Sequence, residues 1–309
     1  MNLYMKSKNI LVNKWYVLII AIFCCLLWGS AYPCIKIGYS LFNIAANDTP
    51  TKLVFAGFRF SIAGIVVLLV YFIINKAIYI PKKQQFFKML ILGLLQTTFQ
   101  YIFFYIGLAN TTGVKGSILN STGIFFSVFL AHFLYKNDKI NIFKILGCLV
   151  GFLGVIVIEF STGLSNINFN FYGDGFIIIA AIVASIAAIY SKTLSHSINI
   201  IALTGYQLFL GGIILSLAGY CYGGHLKNFT FQSSALLLYM ALLSAAAFTL
   251  WTALLKYNKV STISMYNFLI PIFGSLLSAL FLNEKIFEVK NLIALILVCF
   301  GIFLVNKFS

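Results

Sequence analysis

Residues Ser264–Lys290, SMYNFLIPIFGSLLSALFLNEKIFEVK, decide the architecture. They read as an apolar helix carrying one proline, Pro271, then a short polar turn, Asn283-Glu284-Lys285, then the start of another apolar helix. A weaker copy, Ser117–Lys144, SILNSTGIFFSVFLAHFLYKNDKINIFK, lies about half a chain earlier. Once a short gap is allowed before the acidic residue, Phe133-Leu134, Asp138-Lys139-Ile140 and Lys144 stand opposite Phe281-Leu282, Glu284-Lys285-Ile286 and Lys290. A self-match at this separation predicts a chain of two similar halves.

Composition sets the class. The chain has 309 residues, of which 61% are hydrophobic and 9% charged, against about 25% charged in soluble proteins. That is too little polar surface to clothe a water-soluble globule, and it predicts an all-α polytopic membrane protein. The net charge of +15 would suggest nucleic acid in a soluble protein. Here the lysines lie in short loops between apolar runs, which points to membrane orientation and to the lipid bilayer as partner, with no nucleic acid. The six cysteines lie mostly within apolar runs without metal-type spacing, and read as small packing residues. No metal and no cofactor is expected.

Ten transmembrane helices are expected. Residues 1–14 form a short basic tail. Trp15–Ile37 is long enough to cross, since about 20 residues span the hydrocarbon; a signal peptide would have a shorter apolar core and a small-residue cleavage site. Further spans are expected near Leu53–Ile74, Phe86–Ala109, Gly113–Tyr135, Ile140–Phe160, Phe171–Lys192, Ile200–Tyr222, Ser233–Lys256, Ser261–Leu282 and Val289–Val305. With the N-terminus inside, fourteen of the lysines fall inside and six outside, with Arg59 within a span. The positive-inside rule therefore places both termini in the cytoplasm, as in a multi-pass protein of the inner or plasma membrane. Five crossings per half turn the second half over. The expected plan is two inverted five-helix repeats, 15–160 and 171–309, joined by a linker at 161–170. Phe58-Arg59 falls opposite Tyr206-Gln207, Ala63-Gly64-Ile65 opposite Gly211-Gly212-Ile213, and Gly154 opposite Gly301, at a constant spacing of about 147 residues.

These residues resemble the drug/metabolite transporter superfamily, in particular its EamA-type members. The resemblance is carried by Leu27-Trp28-Gly29-Ser30 with Lys36, Phe58-Arg59-Phe60, and Gly107-Leu108 with Thr111. In the second half it is carried by Gln207-Leu208 with Gly211, by Leu254-Leu255-Lys256-Tyr257, and above all by Pro271 through Glu284-Lys285. It covers essentially the whole chain after residue 14. The first-half copy departs from the last motif, with Phe125 about where Pro271 stands and Tyr135-Lys136-Asn137 expanding the turn. The resemblance implies ten helices, inverted repeats, alternating access and export of small metabolites; it does not fix the substrate.

Hydrolytic chemistry has no visible kit: G-x-S-x-G, H-E-x-x-H and a phosphate-binding glycine loop are all missing, so an integral membrane enzyme is disfavoured and no catalytic residue is assigned. No Asp or Glu lies at mid-span, and Glu159 ends span 5. His132 sits near the end of its span, where a solvated structural role outweighs proton coupling. Arg59 is the one charge well inside a span, where burial costs about 2.5–3.5 kcal/mol on insertion scales. Either it snorkels onto helix-end carbonyls and amides, or it faces a cavity and attracts a substrate carboxylate. Its repeat partner, Gln207, is neutral, so the site is asymmetric.

Polar and aromatic residues at helical spacing give the cavity candidates. Gln96 and Gln100 share a face in span 3, with Tyr101 and Tyr105 on the adjoining stripe. Asn120 lies in span 4, Trp28 and Tyr32 sit one turn apart in span 1, Ser244, Phe248 and Trp251 lie in span 8, and Tyr266 and Asn267 precede Pro271 in span 9. A lipid-facing amide at mid-span would be unsatisfied, so these amides should point inward, to line a cavity or to join helices. Pro271 is the gating candidate, because a proline removes a helical hydrogen bond and bends the chain. The expected function is secondary transport, exporting small metabolites such as amino acids or related compounds. Drugs, nucleobases, nucleotide sugars and lipids are alternatives on the same fold. Monomer and homodimer are both open.

Overall fold

The computed structural model describes residues 11–111, 113–159, 169–281 and 289–308. The Asn283-Glu284-Lys285 turn, most of the tail 1–14 and most of the linker 161–170 lie outside the described residues.

Among the described residues ten helical spans succeed one another: α1 Lys14–Leu41, α2 Thr49–Asn75, α3 Lys83–Ala109, α4 Gly116–Leu134, α5 Ile142–Glu159, α6 Phe171–Ser195, α7 Ile200–Cys221, α8 Phe231–Tyr257, α9 Val260–Phe281 and α10 Val289–Phe308. Eight of them are long and apolar enough to cross a bilayer, and the apolar stretches of α5 and α10, Ile142–Val157 and Leu292–Lys307, are shorter. Among the described residues there is no strand. The chain is an all-α polytopic membrane protein, as its composition requires: in hydrocarbon every backbone N–H and C=O must find a partner within its own helix.

Local sequence sets the helix ends. Asn13 accepts from Trp15 N at 3.0 Å to open α1. Asp48 accepts from Thr51 N at 3.0 Å, with Pro50 in the first turn of α2. Asn199 accepts from Ile201 N and Ala202 N to open α7, and Thr230 with Ser233 forms a reciprocal cap on α8. Each oxygen satisfies an amide that the helix cannot reach itself. Helix α9 is capped from a distance. Asp138, in the α4–α5 turn, accepts from Ser261 N at 3.0 Å and from the Ser261 hydroxyl. The same carboxylate holds Lys144 Nζ at 2.7 Å, and Lys144 also donates to Lys139 O at 2.8 Å. Asp138 and Lys144 are 2% and 1% exposed. Burial alone pushes the Asp138 carboxyl up, but the hydrogen bonds from Lys144 and Ser261 and the lysine charge hold it below the usual carboxylate range.

Helix α2 packs on α7, and α5 on α10. In both pairs glycine removes the side chain at the crossing, so that backbones touch. A Cβ on Gly57 would stand 2.2 Å from Ser216 Oγ, and one on Gly64 would stand 2.4 Å from Phe209 N. Gly205 faces Leu68 and Gly212 faces Ser61. Residue numbers rise along α2 as they fall along α7, so the two helices run antiparallel. The same holds for α5 and α10, where Gly147 meets Gly301 and Val305, and Gly154 meets Ala294 and Val298. Gly64→Ala should therefore push α2 off α7 and lower the melting temperature in detergent by several degrees, an overpacking cost of about 1–3 kcal/mol. Gly123→Ala, whose Cβ would meet Ala181 O at 3.3 Å and needs a shift of only a few tenths of an ångström, should cost less. Equal melting of the two variants would contradict this packing.

Candidate functional site

Helices α1, α2, α3 and α8 converge on Arg59. Its position on α2 turns it inward, 3% exposed. Arg59 Nε donates to Ser244 Oγ of α8 at 2.8 Å, and Ser244 in turn donates to Met240 O. The guanidinium carbon lies 5.0 Å from the Phe60 ring centroid, a cation–π contact. Tyr39, Tyr101 and Tyr105 all lie within electrostatic reach of the charge. Among the described residues Arg59 has no acidic partner, and Ser244 alone accepts a hydrogen bond from it. A guanidinium carries five N–H donors in a planar fork, so most of its donor capacity remains for something else.

An aromatic wall adjoins the cation. Phe60 meets Tyr101 at 4.6 Å between centroids and Phe248 at 6.1 Å. Trp28 meets Phe248 at 5.5 Å and Trp251 at 5.0 Å, both edge to face. Trp28 packs against both large core clusters. It reaches between them because its neighbour Gly29 lets α1 touch α9: a Cβ there would lie 2.5 Å from Phe273 Cβ. Tyr32, one turn on, covers Gly274 of α9, where a Cβ would stand 3.0 Å from its ring.

Helix α9 is irregular beside this wall. Proline 271 has no N–H, so the carbonyl of Asn267 loses its helical donor; a tighter turn runs over Tyr266–Phe268 immediately before it. Cys25 Sγ of α1 donates to Tyr266 O at 3.2 Å. The Oδ1 of Asn267 is buried without a hydrogen-bond partner. Thus Asn267 presents one buried side-chain oxygen that the protein leaves unfilled, a state that is costly unless a donor arrives.

The other sequence-predicted residues are dispersed. Gln207 is not in the Arg59 cluster: its Oε1 accepts from Thr97 Oγ1 of α3 at 3.0 Å, joining helices. The Tyr266 hydroxyl accepts from Asn306 of α10 at 3.0 Å. Gln96 lies in a widened turn, Leu94–Phe99, its Oε1 buried and without a partner. Gln100 and Asn120 are partly buried. His132 Nδ1 accepts from Ile140 N at 3.0 Å, a local turn contact. Tyr39 and Phe60 were not among the candidates. Phe60 adjoins Arg59 in sequence, and Tyr39 follows Tyr32 by two helical turns on the same face, so periodicity could have found it. Among the described residues no group of three or more His, Cys, Asp or Glu side chains could hold a metal.

A bundle of ten apolar helices that folds a buried cation and an aromatic wall into its centre has the build of a membrane transporter. The chain belongs to the EamA-like transporter family, which it matches twice, over residues 15–160 and 171–307. It is 27% identical over 287 residues to the uncharacterized transporter YoaV of Bacillus subtilis, covering 92% of this chain and 94% of the relative. It is 25% identical to an uncharacterized transporter of Archaeoglobus fulgidus (84% and 87%) and 26% identical to a chloroplastic WAT1-related protein of Arabidopsis thaliana (95% and 69%). A crystal structure 13% identical in sequence superposes with a TM-score of 0.78, covering 96% of this chain and 98% of that one.

Proposed function

We propose that this transporter exports small zwitterionic or anionic metabolites, amino acids or related compounds, across the cell membrane by alternating access. The observation that carries the reading is Arg59, a buried cation whose fork is mostly unused and which stands against an aromatic wall. A carboxylate would complete the fork and the rings would take an apolar body. The unpartnered Oδ1 of Asn267 suits the ammonium or N–H end of the same molecule. One arginine is too little cation for a nucleotide sugar, which favours the smaller substrate. Counterflow into proteoliposomes from a panel of amino acids, nucleobases and sugars tests this. Flux confined to nucleobases or sugars, or no flux with any member, would overturn it.

Two inverted repeats, 15–160 and 171–309 about the linker 161–170, would supply the moving parts. Helix pairs support this by occurring in exchange-related sets: α1 on α9 with α6 on α4, α1 on α8 with α6 on α3, and α2 on α8 with α7 on α3. The contacts Gly57–Ser216 and Gly205–Leu68 are related by the offset that separates Arg59 from Gln207. Lysine bias supports cytoplasmic termini. Pro271→Ala would restore the helical bond to Asn267 and stiffen α9. It should raise the melting temperature while slowing flux severalfold; unchanged flux would remove Pro271 from gating.

A further inference from the structure

A second binding feature lies away from Arg59, on the outer face of the α2–α7 pair. An open groove of about 400 Å³ runs there, within the usual range of ligand sites, about 300–1,000 Å³. Its floor is apolar: Leu68, Leu69 and Phe72 of α2 with Phe209 of α7. One end is polar. Tyr71, Tyr79 and Tyr206 cluster at that mouth; the Tyr206 hydroxyl donates to Tyr79 O at 2.7 Å, and the Tyr71 and Tyr79 rings stand 5.4 Å apart.

The α2–α3 connection closes over the same mouth and has an unusual make-up. Lys76, in the left-handed conformation that ends α2 with φ of 51°, begins a segment that reaches Lys82 and Lys83. Between them Ile78 and Ile80 are 75% and 84% exposed. Two bare isoleucines flanked by lysines fit neither water nor a protein core; they fit the boundary between headgroups and acyl chains. The three lysines are exposed, and among the described residues none has an acidic partner. No Asp or Glu occurs in the sequence between Asp48 and Asp138, so the positive charge at this mouth is uncompensated over the whole of α2 and α3.

We infer that this groove is a binding site for one anionic phospholipid, its acyl chain along Leu68, Leu69, Phe72 and Phe209 and its phosphate against Lys76, Lys82 and Lys83. Charge complementarity selects the occupant: a zwitterionic lipid would fill the apolar floor equally well, but its own cationic group offsets its phosphate, so it would gain less from the lysines than a lipid of net negative charge. Under the orientation proposed above, the site faces the cytoplasmic leaflet, where anionic lipids meet basic loops. It does not depend on what Arg59 binds.

Native mass spectrometry of the full chain in detergent, with dioleoylphosphatidylglycerol or dioleoylphosphatidylcholine added at equal concentration, tests it. One phosphatidylglycerol should be retained at least tenfold more than phosphatidylcholine. The triple variant K76Q/K82Q/K83Q should bring that ratio to about one while melting as the wild type does. Leu69→Trp, which fills the floor and leaves the lysines in place, should lose both lipids. Equal retention of the two lipids by the wild type, phosphatidylglycerol selectivity surviving the triple change, or a lipid-free dimer covering this face would each overturn the assignment.

Discussion

Arg59→Gln should cut substrate counterflow in proteoliposomes by about 10–100-fold, the loss expected when charge-assisted hydrogen bonds of about 1.5–3 kcal/mol are removed. The same substitution should leave the melting temperature unchanged or raise it. The opposite signs follow from the geometry. Arg59 is buried with Ser244 as its one hydrogen-bond acceptor among the described residues and with no carboxylate beside it, so glutamine relieves a desolvation cost instead of breaking an ion pair. A structural arginine would behave otherwise, with stability and flux falling together. Arg59→Lys is the informative companion. It keeps the charge but loses the planar fork, so affinity for a carboxylate substrate should recover only in part. Unchanged affinity in a folded Arg59→Gln protein would sink the carboxylate role.

Asp138→Leu should have the largest effect on stability, about 3–5 kcal/mol, the usual cost of leaving one member of a buried ion pair alone. Lys144 would be left without its carboxylate at 1% exposure, and the N-terminus of α9 would lose the cap that Asp138 gives Ser261. The double variant D138L/K144M should recover much of the loss, because no lone charge remains; a double variant as unstable as the single would refute the account. The pH dependence has a definite sign. The folded carboxyl titrates below its ordinary value, so the unfolded chain takes up the proton first on acidification. The contribution is complete at neutral pH, begins to fall near the ordinary value of about 3.9, and is gone once pH passes below the depressed folded value. Melting in detergent from pH 7 to pH 3 should show this decline in the wild type and not in the double variant.

Particular residues show how far the sequence could be read. The spans were legible because a bilayer admits few solutions, and runs such as Leu53–Ile74 have no reading but a helix. Ser244, Phe248 and Trp251 were legible as a face of α8, and that face does meet Arg59 and Trp28. The division of the amides was not. Gln207, Gln96 and Asn267 look alike as polar residues in apolar helices, yet Gln207 is satisfied by Thr97 while Gln96 and Asn267 each keep a buried oxygen without a partner. Periodicity says which residues share a face; it does not say which neighbouring helix that face meets.

The acidic turn makes the same distinction. In Ser264–Lys290 and its copy Ser117–Lys144, the sequence alone pointed to a repeat, and in the first-half copy it determined that a polar corner separates two apolar helices. These are local properties, written in composition and spacing. Only the tertiary structure decided that Asp138 reaches across to Ser261 and makes the α4–α5 turn the cap of α9. Only it decided that Arg59 meets Ser244 in place of an acid. The reason is physical: a charge in hydrocarbon is governed by the partners that packing brings to it from distant segments, and a linear pattern does not contain that information.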